Sequence, residues 1–194
     1  RRDVEFLVRD VLGTEQLFKL PMYADHSWET FDLVLDSAYK FAHEQVLPTM
    51  VVSDREGVKL ENGQVVTPPV FKKLYKAWRE GGWIAVTETE ELGGTGLPRA
   101  MTIHPVAALV GANIAFFTMP GLCHGAGEMI ESAGNEAQKA LYVPKLFGGE
   151  WGGTMCLTEP NAGSDVGAAR TTATKQPDGT WHIEGEKIFI TWGD

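Results

Sequence analysis

This sequence has few cysteines, no surplus of positive charge, no long apolar run and no paired histidines. Each absence narrows what it can do. Its two cysteines, Cys123 and Cys156, are too few and too unpatterned for a disulfide framework or a zinc site, and they point to a reducing, cytoplasmic setting. Lys and Arg number 17 against 26 Asp and Glu, a net charge of −9. No basic patch is on offer to replace the counterions of a nucleic acid, so that class of partner is excluded. No apolar stretch approaches the roughly 18 residues of a membrane-spanning helix. The opening Arg1-Arg2-Asp3 is basic only briefly, and no secretory signal is expected after it. The five histidines, His26, His43, His104, His124 and His182, contain no i,i+4 ligand pair, so no metal is expected.

What is present is ordinary for a globular chain. Of 194 residues, 43% are hydrophobic and 22% charged, enough for a good core and part of a second domain. The spacing of Val4, Leu7, Val8 and Val11 predicts a short helix from Asp3 to Leu12, stopped by Gly13. Asp25 or Ser27 is expected to cap a stronger helix. Its stripe is Phe31, Val34, Leu35, Ala38, Phe41, Ala42 and Val46, with Asp36 and Lys40 paired on the wet face and Pro48 at its end. Residues 53–69 read as a polar insertion, with Asn62-Gly63 marking a hairpin. Thr67 is expected to cap the next helix, whose first turn holds Pro68 and Pro69 and whose inner face is Phe71, Leu74, Tyr75 and Trp78.

The run Glu90-Glu91-Leu92-Gly93-Gly94-Thr95-Gly96-Leu97-Pro98 reads as a structural turn. Its glycines match neither the phosphate-loop nor the dinucleotide spacing. Buried helices are expected over residues 99–117 and 119–133, then a helix from Glu136 to Phe147 behind an Asn135/Gln138 capping box. Cys123, His124 and Glu128 are read as core and surface residues of one helix rather than a site. Helical patterning stops at Gly148-Gly149. Strands are then expected at Met155 to Leu157, Thr171 to Gln176, Thr180 to Glu184 and Ile188 to Thr191, with Pro177-Asp178-Gly179 as a turn. The predicted fold class is therefore α+β: an all-α N-terminal helical domain (residues 1–149), then the first strands of a truncated antiparallel β domain (residues 150–194). The sequence stops inside β-forming residues, so a piece of a longer polypeptide is expected.

The stretch Met155 to Gly167 carries the chemistry. An apolar segment runs into a polar loop with Gly163 and Gly167, where backbone can approach a ligand closely. Hydroxyls nearby can bond a phosphate or a ring edge without net charge. The residues by themselves say only that the loop suits an anionic or flat ligand.

Cys156-Leu157-Thr158-Glu159-x-x-Ala162-Gly163-Ser164-Asp165-x-x-Ala168 resembles the flavin-site signature of the acyl-CoA dehydrogenases, with every defined position filled. Gly185-Glu186-Lys187-Ile188-Phe189-Ile190-Thr191 resembles that family's second flavin segment. The 53–69 insertion and Gly153-Thr154-Met155-Cys156-Leu157-Thr158 are similar to its larger members, including the bacterial 3-methylmercaptopropionyl-CoA dehydrogenase-like branch. The resemblance implies an FAD-dependent flavoprotein of fatty acid metabolism that oxidises an acyl-CoA thioester to the 2-enoyl-CoA. It implies electron-transferring flavoprotein as electron acceptor and a homo-oligomer at full length, in the cytoplasm of a bacterium or in a mitochondrial matrix. It places Thr158 and the backbone from Met155 to Leu157 at the pyrimidine edge of the flavin. Gly163 and Ser164 fall at the pyrophosphate, with Ser164 also near substrate, and Phe189, Ile190 and Thr191 along the ring. Phe189 stands where the family often has Trp, keeping a flat face but losing an indole N–H. The family's proton-accepting carboxylate comes from a later helical domain, so no catalytic base is expected among these residues, and the 194-residue piece is expected to be inactive alone. Glu159 and Asp165 are read as loop-fixing carboxylates. An acyl-CoA oxidase of the same fold, or a non-catalytic helical module binding CoA esters or a partner, would also be compatible.

Overall fold

A computed structural model describes residues 1–193 and divides the chain into two compact units, Arg1–Gly153 and a second from Thr154 onward. The first is helical. Helix α1 (Arg2–Phe6) runs into a widened π-helical turn at Leu7–Val11, and Gly13 stops it in the left-handed region. Helix α2 (Trp28–Phe41) follows. Its stripe is buried as expected at Phe31, Leu35 and Ala38, continuing to Ala42 and Val46. Phe31 and Leu35 pack with Val8, Leu97 and Met101 in one core cluster. Ser27 occupies the position before α2, but its side chain makes no capping bond. Asp36 does not pair with Lys40 either, because the guanidinium of Arg1 reaches it.

Pro48 does not end the helix. The chain widens into a second π-helical turn at Ala42–Val46 and goes on as α3 (Leu47–Glu56). Pro48 then falls in the first turn of α3, directly after the widened turn. The polar insertion therefore shrinks to a small hairpin, β1 (Lys59–Glu61) and β2 (Gln64–Val66), in antiparallel register. Asn62 and Gly63 both have positive φ, 53° and 77°, as a two-residue hairpin turn demands.

Helix α4 (Pro69–Glu80) starts behind Pro68, not Thr67, since proline already fixes the backbone entry. Its Phe71 and Trp78 rings meet Phe116 at 5.3 Å each. Each such buried side chain contributes about 1.5–3 kcal/mol. After α4 the glycine loop folds as a structural turn. A Cβ at Gly94 would lie 2.0 Å from the Glu88 carbonyl, so only glycine lets this chain cross itself.

The expected break near Thr118 is found at Asn113 instead, between α5 (Arg99–Ala112) and α6 (Ile114–Ala133). Asn113 is 2% exposed and extended. Its Oδ1 accepts from the Phe116 N–H at 3.1 Å, capping α6. Its Nδ2 donates to Thr49 Oγ1 and Ser53 Oγ at 3.0 and 3.3 Å, tying α6 to α3. Helix α7 (Glu136–Phe147) opens with the capping box of Asn135 and Gln138, both bonds 2.9 Å. Its Val143 and Phe147 form a second core cluster with Ala85. No helix among the described residues is long and apolar enough to cross a membrane.

The second unit holds a hairpin, β3 (Thr172–Lys175) and β4 (Trp181–Glu184), paired antiparallel from Thr172 with Glu184 to Lys175 with Trp181. Its turn is held by Asp178, whose carboxylate accepts from the Thr180 N–H at 2.9 Å. Helical bundle plus short antiparallel strands is the predicted fold class.

Replacing Asn113 by Ala removes a cap and strands the N–H of Phe116. We expect the urea midpoint to fall by the equivalent of about 1–3 kcal/mol. Asn113→Asp keeps a capping oxygen but loses both donated bonds and buries a charge, so it should fall at least as far as Ala.

Candidate functional site

Two segments of the second unit lie side by side. The Ile188 N–H donates to the Thr158 carbonyl at 2.9 Å, and the Met155 N–H to the Thr191 carbonyl at 3.4 Å. This is antiparallel pairing with an even offset, but it makes no strand. Met155 to Leu157 and Ile188 to Thr191 contribute only the single bridge between Met155 and Thr191. The reason is Phe189, whose φ of 55° breaks the extended backbone the sequence predicts. An aromatic residue in the left-handed region costs about 1–2 kcal/mol. Its ring is also 84% exposed.

The loop between Thr158 and Ala168 closes on itself. Glu159 and Ala162 exchange backbone hydrogen bonds at 3.0 and 3.1 Å. The Asn161 side chain donates to the Ala168 carbonyl at 2.8 Å. Asp165 makes no side-chain hydrogen bond among the described residues and is exposed, contrary to its expected loop-fixing role. The fixing carboxylate is Glu159 alone, 3% exposed. Its Oε2 accepts from the Arg170 N–H at 2.6 Å, and its Oε1 from the Thr171 N–H at 3.1 Å and Lys187 Nζ at 2.8 Å. Lys187 Nζ also donates to the Leu157 carbonyl at 3.0 Å. The Arg170 amide, then Lys187 and Thr171, push the Glu159 carboxyl down to about 2.

The remaining expected site residues share this unit. Gly163 and Ser164 sit on the exposed tip of the loop. Among the described residues no acceptor meets their N–H groups, and no partner meets the hydroxyls of Thr158, Ser164 or Thr191. A Cβ at Gly163 would meet nothing within 4 Å, so no neighbour within the fold demands glycine there. Met155 and Leu157 are half-exposed, and Ile190 is partly covered. Lys187 was not among the expected site residues. Its only sequence signal is its place in the second segment, two residues before Phe189.

A separate polar network lies in the helical unit, where the sequence predicts a core histidine and a surface glutamate. His124 Nε2 is 2.7 Å from Glu88 Oε1 and 3.0 Å from Thr87 Oγ1. Arg99 bridges Glu88 and Glu128, and His124 Nδ1 is 4.0 Å from Glu128. The network binds the loop before Gly93 to α5 and α6, and Glu88 and Arg99 line a cavity of about 530 Å³ with Tyr23 and His26. Three separate elements supply it, which is why spacing within α6 does not reveal it.

Comparison with known proteins accounts for both units. Residues 29–150 match the N-terminal domain of acyl-CoA dehydrogenase, and residues 154–194 match its middle domain. The chain belongs to the acyl-CoA dehydrogenase family, oxidoreductases that act on the CH–CH bond of acyl-CoA. It is 37% identical over 193 residues to 3-methylmercaptopropionyl-CoA dehydrogenase of Ruegeria pomeroyi, covering 100% of this chain and 33% of that protein. It is 39% identical over 197 residues to a broad-specificity linear acyl-CoA dehydrogenase of Mycobacterium tuberculosis, covering 100% of this chain and 32% of that one. The chain thus spans about a third of the length of these curated relatives. Among solved structures, butyryl-CoA dehydrogenase from Megasphaera elsdenii is 30% identical with a TM-score of 0.63, over 84% of this chain and 41% of that one. An acyl-CoA dehydrogenase complexed with FAD, from Bacillus anthracis, is 29% identical with a TM-score of 0.64, over 86% of this chain and 27% of that one.

The depressed Glu159 pKa carries a pH signature. A carboxyl lowered by folding contributes stability that is complete above its unfolded value of 4.5 and lost as pH falls toward about 2. Acid unfolding followed by Trp fluorescence should show this loss between those values. Glu159→Gln should be less stable at neutral pH and lack that part of the acid dependence.

Proposed function

We propose that this chain supplies one wall of the FAD site in an acyl-CoA dehydrogenase that converts an acyl-CoA to its 2-enoyl-CoA. The observation that carries it is the set of uncommitted groups on one rigid frame. The frame binds its own polar atoms through Glu159 and Lys187, and among the described residues the amides of Gly163 and Ser164 and the hydroxyls of Thr158, Ser164 and Thr191 meet no partner. Amide and hydroxyl donors suit a pyrophosphate and the polar edge of a flat ring. The strained and exposed Phe189 suits the ring's apolar face. These residue types fit FAD, which when bound accepts the hydride leaving the substrate β-carbon.

In this reading Gly163 and Ser164 bind the pyrophosphate, and Ser164 also borders the substrate. Thr158, with the backbone of Met155 and Leu157, orients the pyrimidine edge. Phe189, Ile190 and Thr191 cover the ring and exclude water from it. The α-proton must go to a base near neutral pKa. Glu159, held at about 2 by three donors, is unsuited to that task. As the family resemblance implies, the base is proposed to lie outside these residues, and the 194-residue piece alone is proposed to be inactive. Electron-transferring flavoprotein is the proposed electron acceptor, a homo-oligomer the proposed full-length state, fatty acid metabolism the proposed role and the cytoplasm its proposed place.

FAD titration of the full-length apoprotein tests this, read by quenching of flavin fluorescence. Wild type should bind and turn yellow. Thr158→Ala and Ser164→Ala should each weaken binding by about 10-fold, the worth of one hydrogen bond. A colourless full-length protein that FAD cannot reconstitute would overturn the reading.

A further inference from the structure

We propose that Lys187 is a positioning residue for this site: by holding the Leu157 carbonyl, it sets the direction in which the Thr158 N–H points. The inference rests on reading Thr158, amide as well as hydroxyl, as cofactor-facing.

The geometry follows from the peptide plane. A trans peptide holds its C=O and N–H on opposite sides. The Leu157 carbonyl and the Thr158 N–H belong to one such plane. Lys187 Nζ donates to that carbonyl at 3.0 Å, so the N–H on the other edge faces away from Lys187. No acceptor among the described residues meets it, while the Glu159 N–H bonds the Ala162 carbonyl and the Ile188 N–H bonds the Thr158 carbonyl. An isolated ammonium would swing on its four-carbon stem. Here it cannot, because Glu159 Oε1 grips it at 2.8 Å, and Glu159 is itself pinned by the Arg170 and Thr171 amides. The order of dependence is Glu159, then Lys187, then the Leu157–Thr158 peptide. Lys187 is also joined by sequence to Ile188, whose N–H bonds the Thr158 carbonyl at 2.9 Å. Both edges of Thr158 are thereby referred to residues 187 and 188. The cation adds a second effect. It sits behind the peptide and polarises it, which strengthens the N–H as a donor to charge gathering on the far side.

The test uses the full-length holoprotein, with Lys187→Met and Lys187→Arg beside wild type. Flavin affinity, the reduction potential of bound flavin, and kcat and KM for an acyl-CoA substrate are read, with a thermal melt for folding. Lys187→Met should stay folded, weaken flavin binding by about 10- to 100-fold, the worth of one or two charge-assisted hydrogen bonds, and move the potential to a more negative value. Its loss in turnover should fall on kcat rather than KM. Lys187→Arg, which keeps a charged donor, should recover most of the potential. Should Lys187→Met fail to fold, Lys187→Gln, which keeps a neutral donor but no charge, is expected to shift the potential in the same direction by less. A folded Lys187→Met or Lys187→Gln protein with wild-type affinity and potential would overturn the inference. So would weaker binding at an unchanged potential, which a purely structural ion pair predicts. A wild-type protein that binds no flavin would instead sink the cofactor reading itself.

Discussion

A carboxylate removed from water must find donors, and the second unit is arranged around that requirement at Glu159. A buried charge without partners costs several kcal/mol. Glu159 meets the requirement with two main-chain amides and one ammonium, drawn from residues 170, 171 and 187. Those donors come from stretches 11 to 28 residues away in sequence, so satisfying one side chain folds the loop, the approach to β3 and the second segment onto each other. The loop needs little apolar core of its own. Ala162 is its one buried apolar residue near the turn, and Glu159 supplies what packing elsewhere would.

The helical unit solves the same problem differently. Its interior is apolar and aromatic, with Trp78 and Phe71 each against Phe116. Several of its buried polar groups lie near helix ends. Asn113 is the clearest case: the break between α5 and α6 leaves orphan amides, and one buried side chain answers for the Phe116 amide while bonding two hydroxyls of α3. Tyr75 and Arg79 do comparable work at the other end, donating to the carbonyls of Gly149 and Gly148 just past α7.

This division explains which features were legible in the sequence. Those that depend on neighbours within four residues were readable: the Asn135/Gln138 box, the Asn62-Gly63 turn, the Pro177-Asp178-Gly179 turn and the stripe of α2. So was the composition of the loop at Gly163 and Ser164, because its signature is local. Features set by distant partners were not. Pro48 reads as a stop unless one knows that the preceding turn widens. Asp36 and Lys40 have the right spacing, but Arg1, just ahead of α1, reaches Asp36 instead. His124 looks like a core residue until Glu88 and Arg99 arrive from elsewhere. Ile188 to Thr191 has strand composition throughout, and nothing in those residue types foretells a left-handed Phe189.

That last misreading is instructive about the site. A strand at residues 188–191 would have spent its amides on the neighbouring segment and turned alternate side chains inward. The observed backbone keeps two bridging bonds, Ile188 to Thr158 and Met155 to Thr191, and gives up regular pairing between them. It accepts the strain of Phe189, about 1–2 kcal/mol, and the exposure of an entire ring. Neither cost is recovered within the unit. The polar atoms around it differ: Glu159 and Lys187 bond their own frame, while among the described residues the donors of Thr158, Gly163, Ser164 and Thr191 meet no acceptor. Strain at Phe189, its exposure and donors that meet no acceptor among the described residues, beside a well-satisfied Glu159 and Lys187, are the features on which the proposed cofactor role rests.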